Sequence, residues 1–407
     1  MTATPTASQL PTCADRWTLD PALDMLNHGS FGACPAEVLA LQADLRRELE
    51  RRPVEFFEAQ APRLLDQSRG ELAALLDADP EDLVFVNNAT AGVNAVLRSL
   101  AWQSGDEIIV SDHAYNACRN VAEFIAARHG VRVVVAAVPL PVQSPQAVLD
   151  SLLACVSPRT RLVMVDHVTS PTAVRFPVAE IVAAFAARGV DALIDGAHAP
   201  GMWPVSLRQL GAAYYTATCH KWLCSPKGAG FLFVRRDRQE GIQPPVISHG
   251  YNMRRAGRTA LHDAFDWTGT DDPTPWLCVG AAVRFLEGLL PGGIAALQQR
   301  NRALALAAQR LLCAELPVEP TCAEELVGAI AAVRLPDEAG RRQSGDGMPG
   351  FNHWLHAALR ARHGIEAPVY FWPAAPHSIL RVSAQAYNRI EQYERLAAAV
   401  RELLGTV

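Results

Sequence analysis

Apolar residues along this chain fall into short continuous runs, separated by longer stretches with a helical period. Residues 83–86, 107–110, 131–137, 161–166, 191–195 and 230–234 read as strands, and their unbroken apolar character marks strands buried on both faces. Between them, 91–100, 117–128, 146–155 and 179–188 repeat apolar positions at helical intervals. This alternation predicts an α/β fold with a mainly parallel sheet, helices on both faces and right-handed crossovers. Upstream, Leu39, Leu41, Leu45 and Leu49, then Leu64, Leu65, Leu72, Leu75 and Leu76, predict helix across 35–76. Residues 1–20 carry no period and read as a disordered or loosely docked arm.

The texture changes near residue 290. Pro291, Gly292 and Gly293 break the chain before an alanine-rich helix over 294–313. Strand-like pieces follow at 329–335 and 379–382, with helices over 352–362 and 389–404. We expect a smaller α+β unit there. The layout is then an arm and the start of a small domain in 1–35, a large domain in 36–290, and the small domain in 291–407. The polar, glycine-rich stretch 340–350 reads as a mobile loop.

Composition removes several classes of function. Among 407 residues the net charge is −5, with 37 basic against 42 acidic side chains. The basic footprint of a nucleic-acid binder is therefore absent. No run approaches the ~20 apolar residues of a membrane helix, and the N-terminus lacks the basic and apolar regions of a signal peptide. The nine cysteines are scattered, with no CxxC pair. No metal site or disulfide framework is expected, and reduced thiols in a cytoplasmic protein are.

Lysine usage adds chemistry. Only two lysines occur, Lys221 and Lys227, in one stretch punctuated by Gly and Pro. Arginine cannot form an imine, because its guanidinium never becomes a free amine. A deprotonated lysine can. Covalent carbonyl chemistry thus has two side-chain candidates.

Ligands of open α/β sheets bind beyond the carboxyl ends of the strands. Past the first strand, Asn87, Asn88, Ala89 and Thr90 open a helix and present either a phosphate cradle or a plain N-cap. Past the second stand His113 and Tyr115; past 161–166, Thr169 and Ser170; past 191–194, Asp195 and His198; and then Thr218, His220 and Lys221. An anion cradle, a flat aromatic, a carboxylate and a lysine suit one ligand, pyridoxal 5′-phosphate (PLP), whose ring nitrogen, phosphate and carbonyl each need one of them.

The motifs LNHGSFG (26–32), NNATAGVNAVLRSL (87–100), DHAYNA (112–117), DHVTSP (166–171), LIDGAHAPG (193–201), CHKWLCSPKGAGFL (219–232), WTGTDD (267–272) and LRVSAQAYN (380–388) occur in that order. In them the chain resembles the class V aminotransferase family, and most of all its isopenicillin N epimerase-like branch. The resemblance implies the PLP-dependent transferase fold of the aspartate aminotransferase type, and a homodimer. It makes Lys221 the imine-forming lysine, with Lys227 structural, and Asp195 the partner of the pyridine nitrogen. His198 and Ser170 fall near the cofactor ring, and Ala89, Thr90, Thr218 and His220 in the phosphate cradle. Thr270 falls where the family reaches a neighbouring subunit's phosphate. Tyr115 is the expected ring stacker, with His113 its rival. Arg381 resembles the arginine that grips a substrate α-carboxylate, a task its fork suits, and Asn27 and His28 fall at the mouth of the site.

The implied activity is abstraction of a Cα proton from an amino acid, as in an epimerase. Carbon–sulfur β-lysis, as in the sulfoxide lyases of ergothioneine pathways, and transamination are the alternatives. A cysteine desulfurase would need a thiol in the small domain before Arg381, and 364–381 contains none. A nucleotide-binding Rossmann fold is disfavoured by the missing GxGxxG after the first strand.

Overall fold

In the computed structural model of the protein, residues 11–341 and 345–405 are described. The first ten residues of the arm, and 342–344 of the polar loop, lie outside the described residues. After a two-residue strand, β1 (Asp24–Met25), the chain forms β2 (Leu83–Val86), β3 (Glu107–Ser111), β4 (Arg132–Ala136), β5 (Thr160–Asp166), β6 (Asp191–Asp195), β7 (Tyr214–Thr218) and β8 (Gly230–Val234). The last seven make one sheet in the order β2-β8-β7-β6-β5-β3-β4. Only β8 runs against its neighbours, so the predicted mainly parallel sheet is present.

The strand of this sheet that the sequence reading lacked is β7. Its YYTAT mixes rings and hydroxyls, so no apolar run announces it, yet all five residues are buried. The hydroxyls are satisfied inside the sheet: Thr216 Oγ1 donates to the Phe231 carbonyl at 2.9 Å. Beside it, the helix Ala89–Ser99 presses closely on the sheet at Gly92. A Cβ there would lie 2.0 Å from Thr216 Oγ1, so glycine is what lets this helix begin so near the strand ends.

The helical reading of 35–76 holds with one break. Arg52 leaves the helix Ala36–Arg51 with φ −145° and ψ 64°, because the residue before a proline is pushed out of the α region. Pro53 starts the next turn, a π-helical turn covers Phe56–Gln60, and the helix Ala61–Leu75 follows. The helices Ala260–Phe265, Thr274–Leu277 and Val279–Leu289 have no counterpart among the expected elements. The last of them packs between Ala61–Leu75 and Gly293–Glu315.

Towards the C-terminus stand β9 (Ile330–Leu335), β10 (Ile365–Glu366), β11 (Val369–Phe371) and β12 (Ser378–Ser383). β11, β12 and β9 form an antiparallel sheet. It is backed by Gly293–Glu315, which also packs on Ile390–Leu404. β1 pairs with β10 through Asp24 and Ile365, so the chain's first strand joins its last third.

The described part of the arm is not loose. Trp17 is buried edge-on between Phe285 and Tyr387, with ring centroids 5.4 Å from each. Its Nε1 donates to the Ala33 carbonyl at 3.2 Å. A large apolar side chain with a satisfied indole N–H helps dock a segment without a period of its own, and Arg300 Nε on the Pro11 carbonyl at 2.9 Å and the Cys13 N–H on the Ala386 carbonyl at 3.0 Å hold the arm further. All nine cysteines are free thiols. Among the described residues no single helix is long and apolar enough to cross a membrane.

Candidate active site

The carboxyl ends of β5, β6 and β7 meet at one level. Parallel register sets Asp166 beside Asp195, and Asp195 beside Thr216. The loop from β7 to β8 then carries His220 and Lys221 over this edge. It stays close because Gly32 sits against it: a Cβ on Gly32, whose φ is +69°, would be 2.0 Å from the His220 carbonyl oxygen.

Lys221 Nζ lies 3.3 Å from His198 Nε2. The other imidazole nitrogen, Nδ1, accepts the Trp222 indole N–H at 3.2 Å. Burial pulls the Lys221 ammonium down to about 8, with Arg381 adding to the effect and Asp195, Cys118 and Asp166 opposing it. His198 is pushed well below its usual range by burial first and by Lys221 next, so it is neutral.

Asp195 is buried and held at both oxygens: Oδ1 accepts the Ala197 N–H at 3.1 Å, and Oδ2 accepts the Cys118 thiol at 3.0 Å. Asp166 Oδ2 accepts the Tyr115 N–H at 3.0 Å. Burial raises both carboxyls, and Asp166 is raised well above the carboxylate range, by burial first and by the neighbouring Asp195 next. Tyr115 caps the helix Asn116–His129 and leaves its own ring 43% exposed. Its hydroxyl is pushed up by burial, then by Cys118 and Asp195.

The helix Ala89–Ser99 points its N-terminus at the same edge. Asn88 caps it, its Oδ1 accepting the Ala91 N–H at 2.9 Å, so the plain N-cap is Asn88 and Thr90 stands in the first turn. Free N–H groups of a first turn favour an anion. Thr218 Oγ1 donates to the Ala197 carbonyl at 2.8 Å. His220 Nδ1 donates to the Ala229 carbonyl at 2.8 Å, and among the described residues Nε2 has no partner.

Arg381, on β12, is 1% exposed. Nη1 donates to the Ser170 carbonyl at 2.7 Å and to Ser170 Oγ at 3.2 Å, and Nη2 to Ser30 Oγ at 2.8 Å and Asn27 Oδ1 at 3.2 Å. Its guanidinium lies over the Tyr370 ring, 5.0 Å from the centroid. Nε is buried without a partner, and Arg381 forms no ion pair among the described residues. A buried cation with neutral neighbours only is costly unless an anion arrives.

Three expected residues sit elsewhere. His113 is fully buried beneath Trp372 and Phe176, with Nδ1 on Thr172 Oγ1 at 2.7 Å and Nε2 on the Val138 carbonyl at 3.1 Å. Both nitrogens are committed, so it does not present a ring to the site. His28 faces the back of the lysine loop, with Nε2 3.0 Å from the Lys221 carbonyl oxygen and Nδ1 2.8 Å from the Tyr387 hydroxyl. Burial pulls it down to about 3, and it props Lys221 rather than facing the mouth. Thr270 is exposed before the helix Thr274–Leu277. Lys227 donates Nζ to the Gly32 carbonyl at 3.0 Å, away from His198.

Asp166, Cys118, Trp222, Tyr370 and Ser30 belong to the site's surroundings and were not among the expected site residues. Asp166 had a signal, since it ends its strand at the same position as Asp195. Cys118 had none, because a thiol in the first turn of an amphipathic helix reads as core.

A lysine, two carboxylates and a helix N-terminus at the carboxyl edge of this sheet define a protein of the PLP-dependent transferase fold. The C–S lyase C-DES, in a mutant with glycine covalently linked to its PLP cofactor, superposes with a TM-score of 0.78 at 21% identity, over 95% of this chain and 98% of that one. Residues 36–328 match the model of the class V aminotransferases, and the chain belongs to that family. It is 34% identical over 403 residues to isopenicillin N epimerase of Streptomyces clavuligerus, covering 96% of this chain and 97% of the relative. It is 30% identical to a probable chloroplastic L-cysteine desulfhydrase of Arabidopsis thaliana, covering 95% and 84%. The family resemblance read from the motifs is borne out.

Proposed function

We propose that this protein is a PLP-dependent enzyme that binds an amino acid through its α-carboxylate and removes its Cα proton, in the manner of an epimerase. The observation that carries the reading is Arg381, a buried guanidinium without an acidic partner at the same edge as an amine held near neutrality. The residues fit the cofactor. Lys221 offers the amine for its carbonyl, Asp195 a carboxylate for its ring nitrogen, and Ser170 and His198 polar groups beside its ring. Ala89, Thr90, Thr218 and His220 offer N–H, hydroxyl and imidazole groups for its phosphate. When bound, PLP supplies a carbonyl that condenses with amines and a ring that takes up the electrons left at Cα.

The chain's own contribution follows from the geometry. Arg381 orients the substrate by its carboxylate, with its charge and the unpartnered Nε–H as the open donor, while Ser170, Ser30 and Asn27 hold its two Nη groups in place. Lys221, whose ammonium is pulled down to about 8, exists in part as free amine near neutral pH and takes the Cα proton. His198 keeps that amine aimed. Inversion needs a second acid on the far face, and with His113 committed elsewhere we assign Tyr115. Its raised hydroxyl holds its proton for delivery.

A β-lyase reading stands second. It needs only the Lys221 face, and the desulfhydrase relative favours it. A persulfide route is disfavoured, since Cys118, Cys219 and Cys224 are all buried and pushed up, and so are not thiolates. We also assign a homodimer, with Thr270 serving the neighbouring subunit.

Incubating the PLP-loaded enzyme with a panel of amino acids in D2O separates these readings. Cα deuteration with inversion supports the epimerase, and release of a 2-oxo acid from a substrate with a β-leaving group supports the lyase. Pyridoxamine phosphate marks transamination. No exchange with any substrate sinks the proposal.

A further inference from the structure

The first turn of the helix Asn116–His129 touches both buried carboxylates at once. The N–H of its capping residue, Tyr115, goes to Asp166, and the thiol of Cys118 goes to Asp195 Oδ2 at 3.0 Å. Cys118 is 1% exposed, so no water competes for that bond. Among the described residues the only other group given to the Asp195 oxygens is the Ala197 N–H, on Oδ1. Asp195 thus spends its second oxygen on a sulfur.

We propose that Cys118 is a positioning residue: its S–H donates to Asp195, and so fixes the orientation and lowers the basicity of the carboxylate that faces the cofactor's ring nitrogen. The inference rests on the PLP reading above and goes beyond it in naming what controls the carboxylate. The direction of the bond is set by charge. A carboxylate accepts only, so the thiol must be the donor. Burial and the neighbouring Asp195 push the thiol well above its usual range, which keeps the proton on sulfur.

The consequence at the ring follows in sign. A hydrogen bond into a carboxylate stabilises its charged form. Without it, Asp195 becomes the stronger base and pulls the shared proton off the ring nitrogen. The ring then accepts electrons less well. Serine keeps a donor at this position and alanine does not, so the two substitutions separate hydrogen bonding from packing.

The experiment uses the purified full-length protein, reconstituted with PLP labelled with 15N at the ring nitrogen. In Cys118→Ala the 15N resonance is expected to move from the pyridinium position towards that of neutral pyridine. PLP affinity is expected to fall about tenfold, the worth of one charge-assisted hydrogen bond. Cys118→Ser is expected to keep the wild-type resonance and affinity within about twofold. Circular dichroism establishes that both variants are folded. A Cys118→Ala protein with the wild-type resonance overturns the inference, and so does a folded Cys118→Ser protein as impaired as Cys118→Ala. A wild-type protein that takes up no PLP overturns the functional reading and this inference with it. Wild-type uptake with no Cys118→Ala effect overturns this inference alone.

Discussion

Lys221 and His198 share a hydrogen bond of 3.3 Å whose direction is fixed from outside the pair. The Trp222 indole can only donate, and it donates to His198 Nδ1. The neutral imidazole therefore carries its proton on Nε2, facing Lys221. Only an uncharged amine accepts that proton. A packing residue next in sequence to the lysine thus favours the nucleophilic form of its neighbour. Trp222→Phe keeps the ring and removes the donor. The Cα–H exchange rate is expected to fall about tenfold, with the bound cofactor's absorbance retained, as suits the loss of one buried hydrogen bond. Exchange at the wild-type rate in D2O would refute this account.

The two lysines divide cleanly in space. Lys221 faces His198, while Lys227 is tied to the Gly32 carbonyl. Lys221→Ala is expected to lose the visible absorption of an imine to PLP, and Lys227→Ala to keep it. Spectra of the two purified variants decide, and the reverse pattern would move the chemistry to the wrong loop.

Burial, helped by Arg381, lowers the Lys221 ammonium to about 8 from 10.5. Condensation with PLP needs the free amine, so reconstitution of the apoprotein should quicken by about tenfold per pH unit below that value. Above about pH 8 it should level off. An unperturbed lysine would keep accelerating past pH 10. Stopped-flow absorbance across pH 6 to 10 distinguishes the two profiles.

Arg381 has neutral partners on both Nη atoms and none on Nε. Lysine keeps the charge but not the fork. Arg381→Lys should raise KM for the amino acid about 100-fold, within the cost of breaking a buried charge pair, while PLP absorbance and affinity stay unchanged. A variant with normal KM would move the carboxylate site elsewhere.

How far the sequence carries can be judged from these residues. Strands with unbroken apolar runs, such as β5 and β6, announce themselves, and so does the chemistry at their ends. β7 does not, because its hydroxyls are paid for by tertiary hydrogen bonds that no local pattern records. Docking of the arm rests on Trp17 together with tertiary hydrogen bonds, Arg300 Nε on the Pro11 carbonyl and the Cys13 N–H on the Ala386 carbonyl, and carries no period. Lys221 and Asp195 stand out because their chemistry is rare in context, one of two lysines and an acid ending a strand, whereas Arg381 is picked out only by the family motif. His28 and His113 mislead for the opposite reason. A histidine at a strand end or loop is equally suited to a site and to a buried strut, and only its partners tell which. Cys118 was silent because its role depends on which carboxylate the fold brings to it.

The role proposed for Thr270 requires a second subunit. It is exposed, and its loop borders an apolar cavity of about 750 Å³ that includes Phe57, Trp267 and Trp276. Nearby in sequence, Val246, Ile247, Tyr251 and Met253 are 56%, 56%, 63% and 59% exposed. Exposed apolar side chains in one segment suit a surface that another chain covers. If a second copy covers it, light scattering should give twice the 44.0 kDa chain mass. Ile247→Glu should then yield monomer, and that monomer should bind PLP more weakly because the neighbour's Thr270 is gone. Thr270→Ala should weaken PLP in the same direction while leaving the dimer intact. A monomeric wild-type protein with full PLP affinity would mean that the site is complete within one chain, and that the apolar surface serves some other contact.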